Sequence, residues 1–548
     1  MRRTVISLST LLLFACGDDV SSAGSGDETG SGTSAASPSE TPATTSGTAS
    51  GSGSTGGPEQ TTSAADDSTS TGADAQPPPE FAHDIRLERL TVNQATQVEV
   101  VVGGLEVEPE DYNTRVISGR RTLVRGFWSL HANFAPRDIM GRLTVGYPDG
   151  TTLEQDFVQF VDAESSDGAG ASSFQWLLEP EDVTPGMTYR VRLFEMPDSE
   201  ASGELSDPPP IAPLAGPGTL GLYDVPLQLR VVLVPVQHEF EGCTSMPDIT
   251  QEDVDAMRMA LEQNNPVQQA TFEVREPMVY TETIGDSGSA FSPVLAALAR
   301  ARAADNPDPS VYYYGLLDPC DGFPPGLGGQ AIAIAGPPTM GNGQERISTG
   351  RWNNSGAAAA STFVHEVGHT QGRRHVRCSG GEAGIDAAYP HAGGRIGVWG
   401  FGIYDFELYS PTGGRDYMTY CSNEWVSDYS WEQTLEVIEV LTGFDLDETP
   451  PENGEDVVLA GMVHEDGRTE WWTQPGRVDA STALGTARFE TPTGPVQTIA
   501  RIRPLPHGHN ARYVEVPLTA ASRAMTTVEV SAPGSSFRVG ADEIRTIR

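Results

Sequence analysis

The sequence predicts a multidomain chain in which a central α/β (α+β) domain is flanked by all-β domains. Three observations carry that expectation. The chain has 548 residues, which at roughly 100 to 200 residues per domain leaves room for two to four. Residues 81–215 and 449–548 break into short apolar or alternating runs separated by Gly, Pro, Asp and Asn clusters, the pattern of strands and turns. Between them, across 216–448, strand-like and helix-like patterns alternate.

The first element, residues 1–16, reads as a signal peptide. Met1-Arg2-Arg3 is a basic start, and the apolar stretch from Val5 to Ala15 is too short to span a membrane as a helix. Leu13-Phe14-Ala15-Cys16 resembles a bacterial lipobox. That resemblance implies a lipid on Cys16 and an exported lipoprotein at the cell surface or outer membrane, with ordinary secretion as the alternative. The lipid would be the sole membrane anchor, since no later apolar run is long enough to cross.

Residues 17–80 are rich in Ser, Thr, Gly, Ala, Pro, Asp and Glu, with hardly an aliphatic side chain beyond Val20. Such a segment cannot bury enough apolar surface to offset its ordering entropy, so it is expected to be a tether. Residues 81–215 then predict a β-sandwich, with strands at segments such as Arg86–Val92, Gln97–Val102, Thr122–Phe127, Gly141–Tyr147 and Thr188–Phe194.

In the central segment, strands are expected at Leu227–Val236, Phe272–Tyr280, Val311–Leu317 and Gln330–Ala335. Helices are expected at Thr250–Gln263 and Pro293–Ala304, the first opened by Thr250 with Glu252 and Asp253 in its first turn. A further helix from Ser355 to about Gln371 carries the chemistry. Beyond residue 448 the pattern returns to short strands, a C-terminal β domain in which nothing identifies a ligand.

Charge and composition narrow the functions. Asp plus Glu number 75 against 34 Lys plus Arg, a net charge of −41, so the basic footprint of a nucleic-acid binder is missing. All 34 basic residues are Arg. Schiff-base lysine and P-loop lysine chemistry are thereby excluded.

Residues 365–375 read His-Glu-Val-Gly-His-Thr-Gln-Gly-Arg-Arg-His, which fills every fixed position of HExxHxxGxxH. His365 and His369, four apart, stack on one helical face where two imidazoles can converge on one Zn²⁺. Gly372 stands where the helix must stop, because glycine enters a left-handed backbone conformation without a Cβ penalty. After that turn His375 can supply the third nitrogen and leave one metal position open for water. Glu366 adjoins the first ligand and can reach that water as general base, passing its proton to a leaving amine.

This stretch resembles the metzincin clan of zinc metallopeptidases, and Asp416-Tyr417-Met418-Thr419-Tyr420-Cys421 resembles the clan's methionine turn. The resemblance covers about residues 223–445. It implies a metzincin catalytic domain at 216–448, one catalytic Zn²⁺ on His365, His369 and His375, Met418 as an apolar floor, and Tyr420 near the zinc or the tetrahedral intermediate. It also implies a substrate-aligning edge strand at Gly329–Gly336 or Glu345–Thr349, and a protein or glycoprotein substrate. Within the clan, the cysteines resemble pappalysin-like enzymes, whereas Gly394–Gly400 and Trp425–Tyr429 resemble the mucin-degrading enterobacterial group. Trp425 and Tyr429 are expected to shape the substrate pocket.

With Cys16 lipidated, four cysteines remain, an even number that favours two disulfides in an exported chain. Three connectivities are open; Cys243 with Cys320 and Cys378 with Cys421 is favoured, because each pair falls within one half of the central domain. His83, His131, His238, His391, His464, His507 and His509 are assigned surface or satisfied core roles, although His507 and His509 could bind adventitious metal as a strand-face pair. A Ca²⁺ could sit on Asp445-Leu446-Asp447-Glu448, with no further support. Two rival readings stand beside the peptidase: a non-enzymatic surface adhesin on the same scaffold, and a gluzincin with a downstream Glu as third ligand, which Gly372 and His375 argue against.

Overall fold

A computed structural model describes residues 79–547 apart from 169–171, 198, 200–202, 204, 285–290, 324–325, 381, 447–455, 483, 508–509 and 533–534. The signal peptide, Cys16, the tether up to residue 78 and His509 lie outside the described residues, as do Asp447 and Glu448.

The N-terminal strands form two sheets packed face to face. One runs in the order 105–106, 97–102, 85–93, 122–130, 174–178; the other runs 211–212, 188–195, 137–146, 152–161, with 218–219 also on 188–195. Alternation in sequence makes the sandwich. Ile139, Leu143 and Val145 on one strand and Tyr189, Val191 and Leu193 on its neighbour face inward, against Leu87, Leu90 and Trp128 of the other sheet.

The central segment is organised on the 13-residue strand Gln228–Phe240. It pairs in parallel with Gln269–Val274, Met278–Tyr280 and Tyr312–Leu317, and antiparallel with Cys243–Ser245. Tyr312–Leu317 pairs in parallel with Ile347–Arg351, whose other side carries the antiparallel edge strand Gly329–Ala331. Both faces of the long strand are covered. Leu229, Val231 and Leu233 meet helices α1 (Gln251–Asn264) and α3 (Gly356–Thr370), while Val232, Val234 and Val236 meet α2 (Phe291–Asp305). Helix α4 (Asp428–Leu446) presents Trp431, Leu435, Ile438 and Leu441, at helical spacing, to the core shared with α1 and α3.

The C-terminal strands form one eight-stranded sheet in the order 535–540, 527–532, 485–490, 496–504, 512–518, 457–463, 469–475, 544–546. Its two edge strands are consecutive in sequence, joined by the short turn Ala541–Glu543. The edges must therefore lie close together, and the sheet nearly closes into a barrel. Ala460, Met462, Trp472 and Tyr513 from this sheet share a core with α2 and the long strand.

This architecture corrects the expected fold class. The chain is a multidomain, mostly β protein with few helices, not a chain built around an α/β metzincin domain. Among the described residues four α-helices stand against thirty-one strands. Helical periodicity in three short stretches suggested alternating layers, but the segment between α3 and α4 forms only two-residue strands and a single 3-10 turn. The expected strand Phe272–Tyr280 is two strands, and Gln330–Ala335 shortens to Gly329–Ala331.

Cys243 bonds Cys320 and Cys378 bonds Cys421, the favoured pairing. No described helix is long and apolar enough to cross a membrane.

Candidate metal centre

Helix α3 starts at Ser355, whose side chain accepts a hydrogen bond from the Ala358 N–H, and continues through four alanines of high helix propensity. Ala359, Phe363 and Val367 fix its buried face in the core. His365 and His369 then project from the last turns with ring centroids 4.9 Å apart. Gly372 ends the helix at φ +85°, and a Cβ there would lie 3.0 Å from the Ala335 carbonyl oxygen. The Arg373 N–H donates back to the Gly368 carbonyl, closing the turn that brings His375 round to the same point.

Each of these histidines is oriented by a backbone carbonyl. His365 Nδ1 bonds the Tyr417 oxygen at 2.8 Å, His369 Nδ1 the Arg373 oxygen at 2.8 Å, and His375 Nδ1 the Ala383 oxygen at 2.6 Å. With Nδ1 donating, each Nε2 carries a lone pair rather than a proton. The Nε2 atoms converge. Those of His369 and His375 are 3.0 Å apart, and Nε2 of a fourth residue, His507, is 3.2 Å from the first and 3.4 Å from the second. His365 Nε2 is buried without a hydrogen-bond partner.

Four imidazole nitrogens within 4.8 Å of one another form a cluster that could hold a metal ion. Lone pairs facing each other at such distances repel unless a cation lies between them. Metal–nitrogen bonds of about 2.0–2.1 Å on a tetrahedron would set nitrogens about 3.3–3.4 Å apart, close to the separations seen here. Burial also favours neutral ligands: it pushes His365 and His507 down to about 4 and lowers His369 and His375, with neighbouring histidines adding to the shift at His365, His369 and His375.

Glu366 lies beside the cluster. Burial pushes its carboxyl up to about 7, against the opposing pull of the histidines and of a hydrogen bond from the Ala331 backbone. One carboxylate oxygen is 3.4 Å from His507 Nε2 and the other has no partner. Gly329 makes room for it, since a Cβ there would come within 2.7 Å of Glu366 Cγ. Tyr420, half exposed, places its hydroxyl 3.0 Å from His375 Nε2 and 2.5 Å from His507 Nδ1. Burial raises the phenol far above its ordinary value, so it stays protonated.

Met418 is fully buried beneath α3, and Gly368 lets it approach: a Cβ there would meet the Met418 sulfur at 2.5 Å. The turn around Met418 supplies the Tyr417 carbonyl to His365, and the Met418 carbonyl accepts the Val376 N–H. The Cys378–Cys421 bond lies three residues past His375 and one past Tyr420. Glu382 gathers the turn after His375. Its carboxylate accepts the N–H groups of Ser379, Cys378 and Gly380, which hold it at about 2 against the upward push of burial.

Several residues singled out from sequence lie elsewhere or act otherwise. Trp425 is buried, stacked on Tyr409 at 4.0 Å with its N–H on the Ala95 carbonyl, and so is packing rather than pocket wall. Tyr429 bonds Asp386. In the candidate Ca²⁺ cluster, one Asp445 oxygen accepts from the Ser310 hydroxyl and from Arg230, while Asp447 and Glu448 lie outside the described residues. His507, given a surface or satisfied core role from sequence, stands in a turn rather than on a strand and joins the cluster from the connection between strands 496–504 and 512–518; its suggested partner His509 lies outside the described residues. Its only sequence signal is a histidine after Leu505-Pro506, far from the motif.

No protein-family model matches the chain, and no curated protein matches it.

Proposed function

We propose that this chain is a zinc-dependent endopeptidase, related through its motif to the metzincins, that hydrolyses extracellular proteins or glycoproteins and is exported as a lipoprotein. One observation carries the reading: three carbonyl-oriented imidazoles present buried lone pairs to one point, and a buried carboxylate with one unpartnered oxygen stands beside that point. His365, His369 and His375 are suited to hold the ion. A bound zinc would acidify a water and polarise the scissile carbonyl. Glu366, with one unpartnered oxygen beside the cluster, is suited to take that water's proton and return it to the leaving amine. Tyr420 keeps its proton and can donate to the developing oxyanion. The free side of the edge strand Gly329–Ala331 offers backbone groups for an extended peptide.

A second reading, a non-enzymatic adhesin whose metal is structural, is favoured by the presence of a fourth histidine at the cluster, since closed sites are the structural kind. Cleavage of casein or mucin by the full chain, or by the full chain carrying His507→Ala, decides between them. Activity should disappear with a chelator and return with Zn²⁺. Glu366→Gln should keep its zinc while turnover falls by about 10²- to 10⁴-fold. Parent-rate cleavage by that variant would remove Glu366 from the chemistry.

A further inference from the structure

We infer that His507 is the fourth metal ligand and closes the site against the water that hydrolysis needs, so that the chain folds in a latent form. The inference rests on the peptidase reading for its consequence and on geometry for its substance. His507 Nε2 stands at 3.2 and 3.4 Å from the corresponding atoms of His369 and His375, the spacing of a fellow ligand. The same atom lies 3.4 Å from the Glu366 carboxylate. A water activated by Glu366 would have to occupy that place, between base and metal. The imidazole is already there.

The placement is built into the fold. On the N-terminal side of His507, the Pro506 carbonyl accepts a hydrogen bond from the Gln330 side chain of the edge strand at 2.8 Å. Leu505 and Ala511 are both buried in the core around α2, and the Leu505 N–H donates to the Ala511 carbonyl at 3.1 Å. His507 itself adopts φ +59°, a left-handed conformation unfavourable for a residue with a Cβ, held by these surroundings. Its Nδ1 is steadied by the Tyr420 hydroxyl. The side chain that would assist catalysis is thereby engaged with the one that blocks it. Opening the site means withdrawing His507, which frees the metal's fourth position and Tyr420 together.

X-ray absorption on the full chain loaded with zinc reads the ligand count without reference to activity. The parent should show four imidazoles. His507→Ala should show three plus one oxygen, and should cleave casein at least about tenfold faster. Gln330→Ala, which removes the contact to Pro506 and leaves every proposed ligand in place, should shift part of the population to the open form. Three imidazoles and an oxygen in the parent, or an unchanged metal shell in His507→Ala, would overturn the inference. The expected change of shell with no cleavage by any variant would uphold His507 as ligand and remove the peptidase reading instead.

Discussion

At the scale of single residues, Gly372 shows how tightly the metal centre depends on backbone conformation. With φ at +85° and the Ala335 carbonyl 3.0 Å from where a Cβ would stand, Gly372→Ala should lose about 1–2 kcal/mol of stability. It should also weaken zinc binding, because the turn that delivers His375 must re-form around the added atom. Denaturant titration and zinc titration measure the two effects, and unchanged zinc affinity would show that His375 is placed by other contacts. The pair His365 and His369 and the glycine after them were legible because their geometry is local: four residues make one helical turn. His507 was not. It lies 132 residues beyond His375, and no spacing rule connects a connection between two C-terminal strands to a helix that distant. The packing of the C-terminal sheet against α2 and the Gln330 contact to Pro506 bring it there.

At the scale of elements, Asp253 ties two helix starts together. One of its carboxylate oxygens accepts the Thr250 N–H and hydroxyl at 2.9 and 2.6 Å; the other accepts the N–H of Gly356, the first residue of α3, at 2.8 Å. Asp253→Ala should cost about 1–2 kcal/mol, the usual loss for a helix cap. Burial nudges this carboxyl upward, but the hydrogen bonds from Gly356 and Thr250 prevail and hold it below its ordinary value. A lowered folded-state value means that the stabilisation is present above the unfolded value, near 3.8, and is lost as pH falls through the folded one. The stability difference between the parent and Asp253→Ala should therefore narrow as the medium is acidified below about pH 4. A difference that stayed constant down to pH 2 would rule this cap out. Helices α1, α2 and α3 are readable within a residue or two because apolar periodicity marks them and Thr250 and Ser355 open the first and third. Helix α4 carries the same spacing in Trp431, Leu435, Ile438 and Leu441, yet its start, Trp425–Tyr429, was read for family likeness rather than period.

At the scale of the whole molecule, the C-terminal sheet is locked to the central segment by buried charge. Glu345, fully buried, pairs with Arg501 and with Arg503 at 3.0 Å, and Arg503 reaches Glu515 at 3.1 Å. Burial works against the Glu345 carboxylate, but Arg503 and Arg501 keep it below its ordinary value; at Glu515 burial wins and the value rises. Glu345→Ala would leave two arginines without full compensation and should destabilise the protein by about 3–5 kcal/mol. A loss under about 1 kcal/mol by thermal unfolding would mean that water replaces the carboxylate. None of these pairs could be read from sequence, because ion pairs across segments follow from the sheet's curvature, not from spacing. The fold class failed for a related reason: short helical periods are conspicuous, whereas strands of two or three residues leave almost no pattern.

The Cys378–Cys421 bond has a consequence for how the cluster would receive a metal ion. It closes a loop of 43 residues that carries little regular structure, and in a chain-entropy treatment such a crosslink restricts the unfolded ensemble by about 4 kcal/mol. The crosslink thus restrains Tyr420, one residue before Cys421, and the chain that follows His375 without the help of any cation. A cation entering this cluster would meet a cage already in place, unlike small zinc domains in which the metal must organise the peptide around itself.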